Sequence, residues 1–384
     1  MANALANKPP AAKQDGRANA PQVLVPFMRG VADHCEPFYD TTFNLSAAQG
    51  NLGPVDVASY GYARAIWIQV NIVSTGNSAA VALHEDNPWA FFAELAVQDV
   101  NGAPLFGPHG GYEVYLHHKY GGFRAQRDPK LYKDYSACTT GAGATAGSGV
   151  FMFRINLERS ARDGLGSLAN MNASQAYKVR GSISALLGMY TVVPNGAVTG
   201  RVRMWLEAYS QPNGTDAAGR DQATAPPANA TTGYSSRIQP ATNSGANTIK
   251  HTRVGNYIRN LVYINRRAGT SRSNGETDLA TLSMQWYLDS RLLTNMSIEQ
   301  IRSRMAEQFD LTSVTLEAAN GFDNGVFVIP FMTDFDGHAG YEMRDMWLPT
   351  TQASRLELTV SLPNSGVLTV MTDDVAPKGN VFIS

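Results

Sequence analysis

Two cysteines in 384 residues, Cys35 and Cys138, leave no material for a disulfide framework, and without a CxxC they offer no zinc-ligand spacing. Isolated buried thiols are the expectation. An excess of one charge is lacking too: 31 Lys and Arg stand against 32 Asp and Glu, a formal net charge of −1. Such a chain has no broad basic surface to displace counterions from a phosphate backbone, so direct nucleic-acid binding is not its expected role. No run of about 18 apolar residues is present, which excludes a membrane-spanning helix. The first residues lack the basic-then-apolar order of a secretion signal, so the chain is expected to be soluble and not exported by that route.

Catalytic motifs are missing as well. The sequence has no GxSxG, no HExxH, no Walker loop and no GxGxxG after a strand. His34 beside Cys35 is no nucleophile and base, because sequence neighbours point apart. His117-His118 cannot share one metal: they face opposite ways on a strand and sit about 100° apart on a helix. The richest polar cluster is Asp334, Asp336, His338, Glu342 and Asp345. Its Asp-x-Asp-Gly is part of a calcium loop, but the third oxygen ligand and the closing glutamate are absent, and a turn accounts for Asp336-Gly337. No catalytic residue, cofactor or metal ligand is assigned, and the chain is not expected to be an enzyme.

What is abundant is strand material. Thirty-five Gly and 19 Pro accompany many Val, Ile, Thr and aromatic residues, the composition of strands joined by turns. Period-two alternation appears at Tyr39–Leu45, Ile66–Ile72, Phe151–Leu157, Val179–Ala185 and Val202–Ala208. Phe91–Val100 is a further apolar stretch, and Asp99-Val100-Asn101-Gly102 supplies a hairpin turn. In the second half the pattern resumes at Ile258–Ile264, Leu282–Leu288 and Leu356–Leu362. One helix interrupts it: Ser297 and Gln300 form a capping box, Ile298, Ile301, Met305 and Phe309 make one apolar face, and Arg302 and Arg304 lie on the solvated face. Gly111–Tyr120 is a weaker helical counterpart in the first half.

Four segments follow. Residues 1–22 are a polar arm, either a solvated tail or an arm that orders against a partner chain or an anionic lipid surface through Lys8, Lys13 and Arg17. Residues 23–209 form one strand-rich unit and 249–384 another. Residues 210–248, rich in Pro, Gly, Asn and Thr with no apolar period, are a polar loop or linker between them. The two units echo each other. Gly-Val-Phe recurs at Gly149 and Gly325, an offset of 176 (325 − 149), and each copy runs through an Asp-Gly to a second strand that ends at Ala185 or Leu362. One repeat of half the chain predicts two similar domains rather than a solenoid. The polar centre of the later copy, Asp334 to Asp345, is then a surface loop of a paired-strand unit.

In this order the chain resembles the double jelly-roll major capsid proteins of tectiviruses, bacteriophages with an internal membrane. The resemblance runs from about Leu24 to Val375. It rests on Ser78–Leu83 with Phe91–Asp99 as an early strand pair, Gly143–Ala185 as the late strands of a first jelly roll, Met296–Phe309 as the helix of the second, and Gly325–Leu362 after it. Ser210–Asn247 does not align with that family. The resemblance implies an all-β double jelly roll: two upright eight-stranded sandwiches, a short helix in the second half, and long loops. It implies a homotrimer of pseudo-hexagonal outline in a virion shell, in contact with neighbouring capsomers and with vertex and minor capsid proteins. The termini, and with them Lys8, Lys13 and Arg17, would face the membrane. Two alternatives stand beside it. One is a carbohydrate-binding or glycoside-processing β-sandwich using Trp89, Trp205 or Trp347 with Asp334 or Glu342 as acid and base; the other is a trimeric viral spike protein.

Overall fold

The computed structural model describes residues 24–75, 81–122, 136–139, 147–215, 222–225, 227, 232–268, 271–279, 283–309, 323–335, 342 and 346–377. The expected arm, with Lys8, Lys13 and Arg17, lies outside the described residues, as do Asp336, His338 and Asp345.

The long strands of the first half are β1 (Asp33–Leu45), β2 (Tyr62–Ser74), β3 (Phe92–Gln98), β4 (Pro104–His109), β5 (Ser136–Thr139), β6 (Gly147–Asn156), β7 (Lys178–Ile183) and β8 (Val198–Tyr209), with helix α1 (Gly111–Tyr120) between β4 and β5. The second half has β9 (Gly233–Ile238), β10 (Gly245–Lys250), β11 (Tyr257–Arg267), α2 (Arg272–Leu279), β12 (Ser283–Leu288), β13 (Arg291–Ser297), α3 (Ile298–Gln308), β14 (Val326–Pro330), β15 (Leu356–Leu362) and β16 (Gly366–Val375). β2 shows why these stretches become strands. Ile66, Ile68, Val70 and Ile72 are wholly buried while Trp67, Gln69 and Asn71 between them are half-buried. Each such aliphatic contributes about 1.5–3 kcal/mol by leaving water, and only a period of two puts all four on one face.

The first sandwich faces the sheet β1-β8-β2-β6-β5 against β7-β3-β4, with short strands Gly50–Asn51 and Val55–Asp56 beside β7. In the second, β9-β16-β11-β14 faces β10-β15-β12-β13. These are the same arrangement. β9, β16, β11 and β14 occupy in the second sandwich the places of β1, β8, β2 and β6, and β15, β12 and β13 those of β7, β3 and β4. The helices match too: α1 packs on β6 and α3 on β14. The repeat at Gly149 and Gly325 therefore marks equivalent strands. One expectation changes: the two strands of each copy do not pair with each other but lie in opposite sheets, so the segment between them crosses the sandwich.

The halves share a sheet. β9 pairs antiparallel with β16 and meets β4 of the first half in parallel at Ser235 and Phe106, so a single sheet runs through both sandwiches. Strand β9 and the start of β10 fall inside 210–248, the range read as polar loop or linker. They escape an apolar count because Ser236, Asn247 and Thr248 alternate with few hydrophobics, and their partners β16 and β15 supply the apolar surface. At the far edge, β14 is buried at every residue because α3 covers it, and Met305 Sδ lies 3.3 Å from Val328 N. The capping box that opens α3 forms as expected: Gln300 N donates to Ser297 Oγ at 3.4 Å, and Ser297 N to Gln300 Oε1 at 3.0 Å. Arg302 departs from its expected solvated role, pairing with Glu276 of α2. At the edge of the other sheet of the first sandwich, β1 carries Pro37 at a register shift, a feature that discourages further strand pairing.

The start of β1 and the end of β16 lie near one another. Asp33, at the start of β1, pairs with Arg64, which also holds Glu158; one residue on, Arg159 reaches Asp373 near the end of β16.

Candidate functional site at the seam of the two sandwiches

The densest chemistry of the described residues lies where the sandwiches meet, and α1 is its centre. The helix is buried on every side, as a helix enclosed by two cores must be. It can seat there because Gly111 has no side chain: a Cβ would stand 1.9 Å from Trp89 O. Trp89 stacks on Tyr115 at 3.8 Å. The last turn carries His117, His118 and Lys119, cations or potential cations at the negative end of the helix dipole.

From that end the contacts cross to the second half. Lys119 pairs with Asp323, which also accepts from Tyr120 Oη at 3.0 Å. Asn260 Nδ2 donates to Tyr120 O at 3.1 Å, and Arg259 Nη2 to Gly121 O at 2.8 Å. Arg259 Nε also donates to Glu342 at 2.7 Å, and its Nη1 lies 3.4 Å from Asp373. Arg159 Nε completes the group at 2.6 Å from Asp373 Oδ1, with His117 Nε2 at 3.7 Å from the same oxygen. Burial alone would raise the Asp373 carboxyl; the charges of Arg159, His117 and Arg259 override it and hold it well below the usual carboxylate range. Burial drives His117 down to about 4, against the pull of Asp373.

At the other end of the seam the signs reverse, with acids on the first half and bases on the second. Asp86 receives Arg266 Nη2 at 2.8 Å and Arg272 Nε. Burial would raise its carboxyl, and these two guanidinium groups hold it low instead. Glu85 accepts from the backbone N–H of Arg272 and Ser273, so a carboxylate of one sandwich caps helix α2 of the other. Arg237 of β9 reaches Glu113 of α1 at 3.1 Å. These pairs flank a cleft of about 470 Å³ floored by Phe92, Gly110, Gly111 and Val367.

Ion pairs buried this well add little net stability, because desolvation offsets attraction, but a mismatched arrangement would strand charges at a cost of about 3–5 kcal/mol each. Their effect is to permit one relative placement of the sandwiches. They are fixing points.

The remaining candidates fall elsewhere. Glu342, read as part of a surface loop, is instead buried against Arg259, whose guanidinium offsets its charge. A carboxylate so clamped is poorly placed as acid or base, and Asp334 is half-buried. His117 and His118 are packed, as expected. Cys35 corrects the expectation of buried thiols: it is exposed, on an edge strand, and partial burial followed by Glu207 pushes its thiol up, away from the reactive thiolate. His34 turns instead to Glu36 at 3.0 Å and stacks on Tyr60 at 3.9 Å. Trp89 and Trp347 are core residues, and Trp205 is half-buried on the outer face of β8 with Arg203 over its ring. Among the described residues no three metal-binding side chains converge, and no helix is long and apolar enough to cross a membrane.

The seam residues were not foreseen. Their signal was a charge inside an apolar strand: Arg259 in YIRNLVYI and Asp373-Asp374 in VMTDDV. A strand buried on both faces keeps a charge only beside a partner.

No family model and no curated protein matches this sequence. Solved structures do. A structure described as the major capsid protein of STIV is similar with a TM-score of 0.58 and 10% identity, over 90% of this chain and 97% of that one. A chain from the atomic structure of Sulfolobus turreted icosahedral virus gives 0.60 and 12%, over 90% of each. A chain of the PBCV-1 virus capsid gives 0.56 and 8%, over 92% and 97%. At such identities the likeness is one of fold, and the fold is all-β, a double jelly roll.

Proposed function

We propose that the chain is a structural major capsid protein, located in the shell of an icosahedral virion that encloses a membrane. The observation that carries this reading is the duplication: two sandwiches of one strand order, locked at a single angle by buried charges, joined through one sheet. The virus capsid proteins named above share that fold. Two similar units in each chain let a threefold trimer present six similar edges, the outline that tiles a shell with neighbouring capsomers. In that setting the arm would extend from the end of the molecule that holds the start of β1, and Lys8, Lys13 and Arg17 would meet lipid phosphates there, each contributing about 1 kcal/mol. Vertex and minor capsid proteins are the other partners this role calls for, with no cofactor and no direct nucleic-acid contact.

Sedimentation tests the reading: a purified chain should run near three times its 41.4 kDa and survive mild denaturant. A stable monomer that retains or hydrolyses an oligosaccharide would favour the carbohydrate-binding sandwich. Deleting residues 1–20 should keep the trimer and weaken flotation with anionic liposomes; unchanged flotation removes the lipid role of the arm.

A further inference from the structure

His251 follows β10, and its ring is buried between the two sheets of the second sandwich, with 4% of the residue exposed. Its backbone N–H donates to Leu356 O of β15 at 2.9 Å. Nε2 faces Tyr263 Oη of β11 at 3.1 Å, and that hydroxyl takes the indole N–H of Trp286 of β12 at 2.7 Å. The Tyr263 hydroxyl and Nε2 share one hydrogen bond, whose direction follows the imidazole tautomer. Nδ1 has no hydrogen-bond partner. Phe327 of β14 stacks on Tyr263 at 4.6 Å and closes the site. Among the described residues facing the ring only Tyr263 titrates, and burial pushes its hydroxyl far above the ordinary value, so it stays neutral. Among those residues no carboxylate is there to receive an imidazolium.

The residues just after His251 hold the end of the last strand. Arg253 donates to both carboxylate oxygens of Asp374 in β16, at 3.0 and 2.8 Å, and lies over the Tyr234 ring of β9. Asn256 Nδ2 donates to the same carboxylate, and Gly255 N to Thr350 O at 3.1 Å. A displaced His251 pulls on this loop directly.

We infer that His251 is an acid-sensitive latch: on taking up a proton its ring leaves the space between the sheets, and the loop 252–256 and the C-terminal end of β16 come free. This goes beyond the capsid reading and does not depend on it. The direction follows from burial, which alone lowers the ring to about 4 from 6.5. Between those values an unfolded ring takes a proton that the buried ring refuses, so acidification favours the opened form. Asp374 acts on the tie rather than on the driving force. Burial raises its carboxyl in spite of Arg253, so it neutralises early in the folded state, at no cost by linkage, and its grip on Arg253 weakens.

Hydrogen exchange of the full-length protein, followed by mass spectrometry and corrected for the intrinsic pH dependence, tests this. Between pH 7 and pH 4.5, peptides covering 245–257 and 369–377 should lose about tenfold or more protection beyond any loss in β2 and β8, which report the global stability. His251→Phe, which fills the same space without a titrating group, should hold the protection of 245–257 across the range, while 369–377, which also carries the contact of His117 with Asp373, should lose less than in the wild type. If the phenylalanine does not pack, His251→Gln, neutral at every pH, is measured instead. No acid-dependent loss in the wild type, or the same loss in the folded variant, overturns the latch.

Discussion

Arg159 and Asp373, 214 residues apart in sequence, meet with Nε 2.6 Å from Oδ1 in a space closed to water. One comes from the loop after β6 and the other from the last strand, so this contact, with Lys119 and Asp323, sets how the sandwiches stand.

Asp373→Asn should therefore cost far more than a surface charge change. It leaves Arg159 and Arg259 facing each other with one carboxylate fewer, and an uncompensated buried charge costs about 3–5 kcal/mol. Urea unfolding at unchanged slope should show a shift of that order; a loss below about 0.5 kcal/mol would mean water already reaches the site.

Gly111→Ala tests the seating of α1. The added methyl would stand 1.9 Å from Trp89 O, so the helix must shift away from the core it fills, at a cost of roughly 1–3 kcal/mol or more. Gly214→Ala, where nothing lies within 4 Å, should change stability by less than about 0.5 kcal/mol. Equal melting of the two variants would remove the packing account.

Stability should fall as pH drops from 6.5 toward 4. His117 and His251 are each held at about 4 by burial, so each contributes stability that is complete above 6.5 and lost through that window, on the order of 3 kcal/mol apiece. Asp373 works in a lower window: its depressed carboxyl contributes above the ordinary aspartate range and is lost only in stronger acid. Melting temperatures between pH 7.5 and 4 should show the histidine step, and a flat profile would refute it.

Much of the scaffold was legible because one face of each strand is apolar. Ile66–Ile72 and Val202–Ala208 announce β2 and β8, and Ser297 with Gln300 announces α3. Gly149 and Gly325 announce the duplication, since Gly-Val-Phe recurs in or just before equivalent strands. β9 and β10 stayed hidden because their partners, not they, carry the apolar surface. The seam stayed hidden for another reason. Asp86, Glu113 and Arg159 are ordinary charges in sequence, and only the fold brings each to a partner from the other half.

The parallel meeting of β4 and β9 has a consequence in time. A ribosome releases β4 well before β9, so the later sandwich begins on an edge that already exists, and the growing sheet acts as a template for its own extension. A fragment ending at Tyr209 should then show strand circular dichroism and cooperative melting alone, while one beginning at Gly233 should not. The first sandwich would serve its partner as a mould.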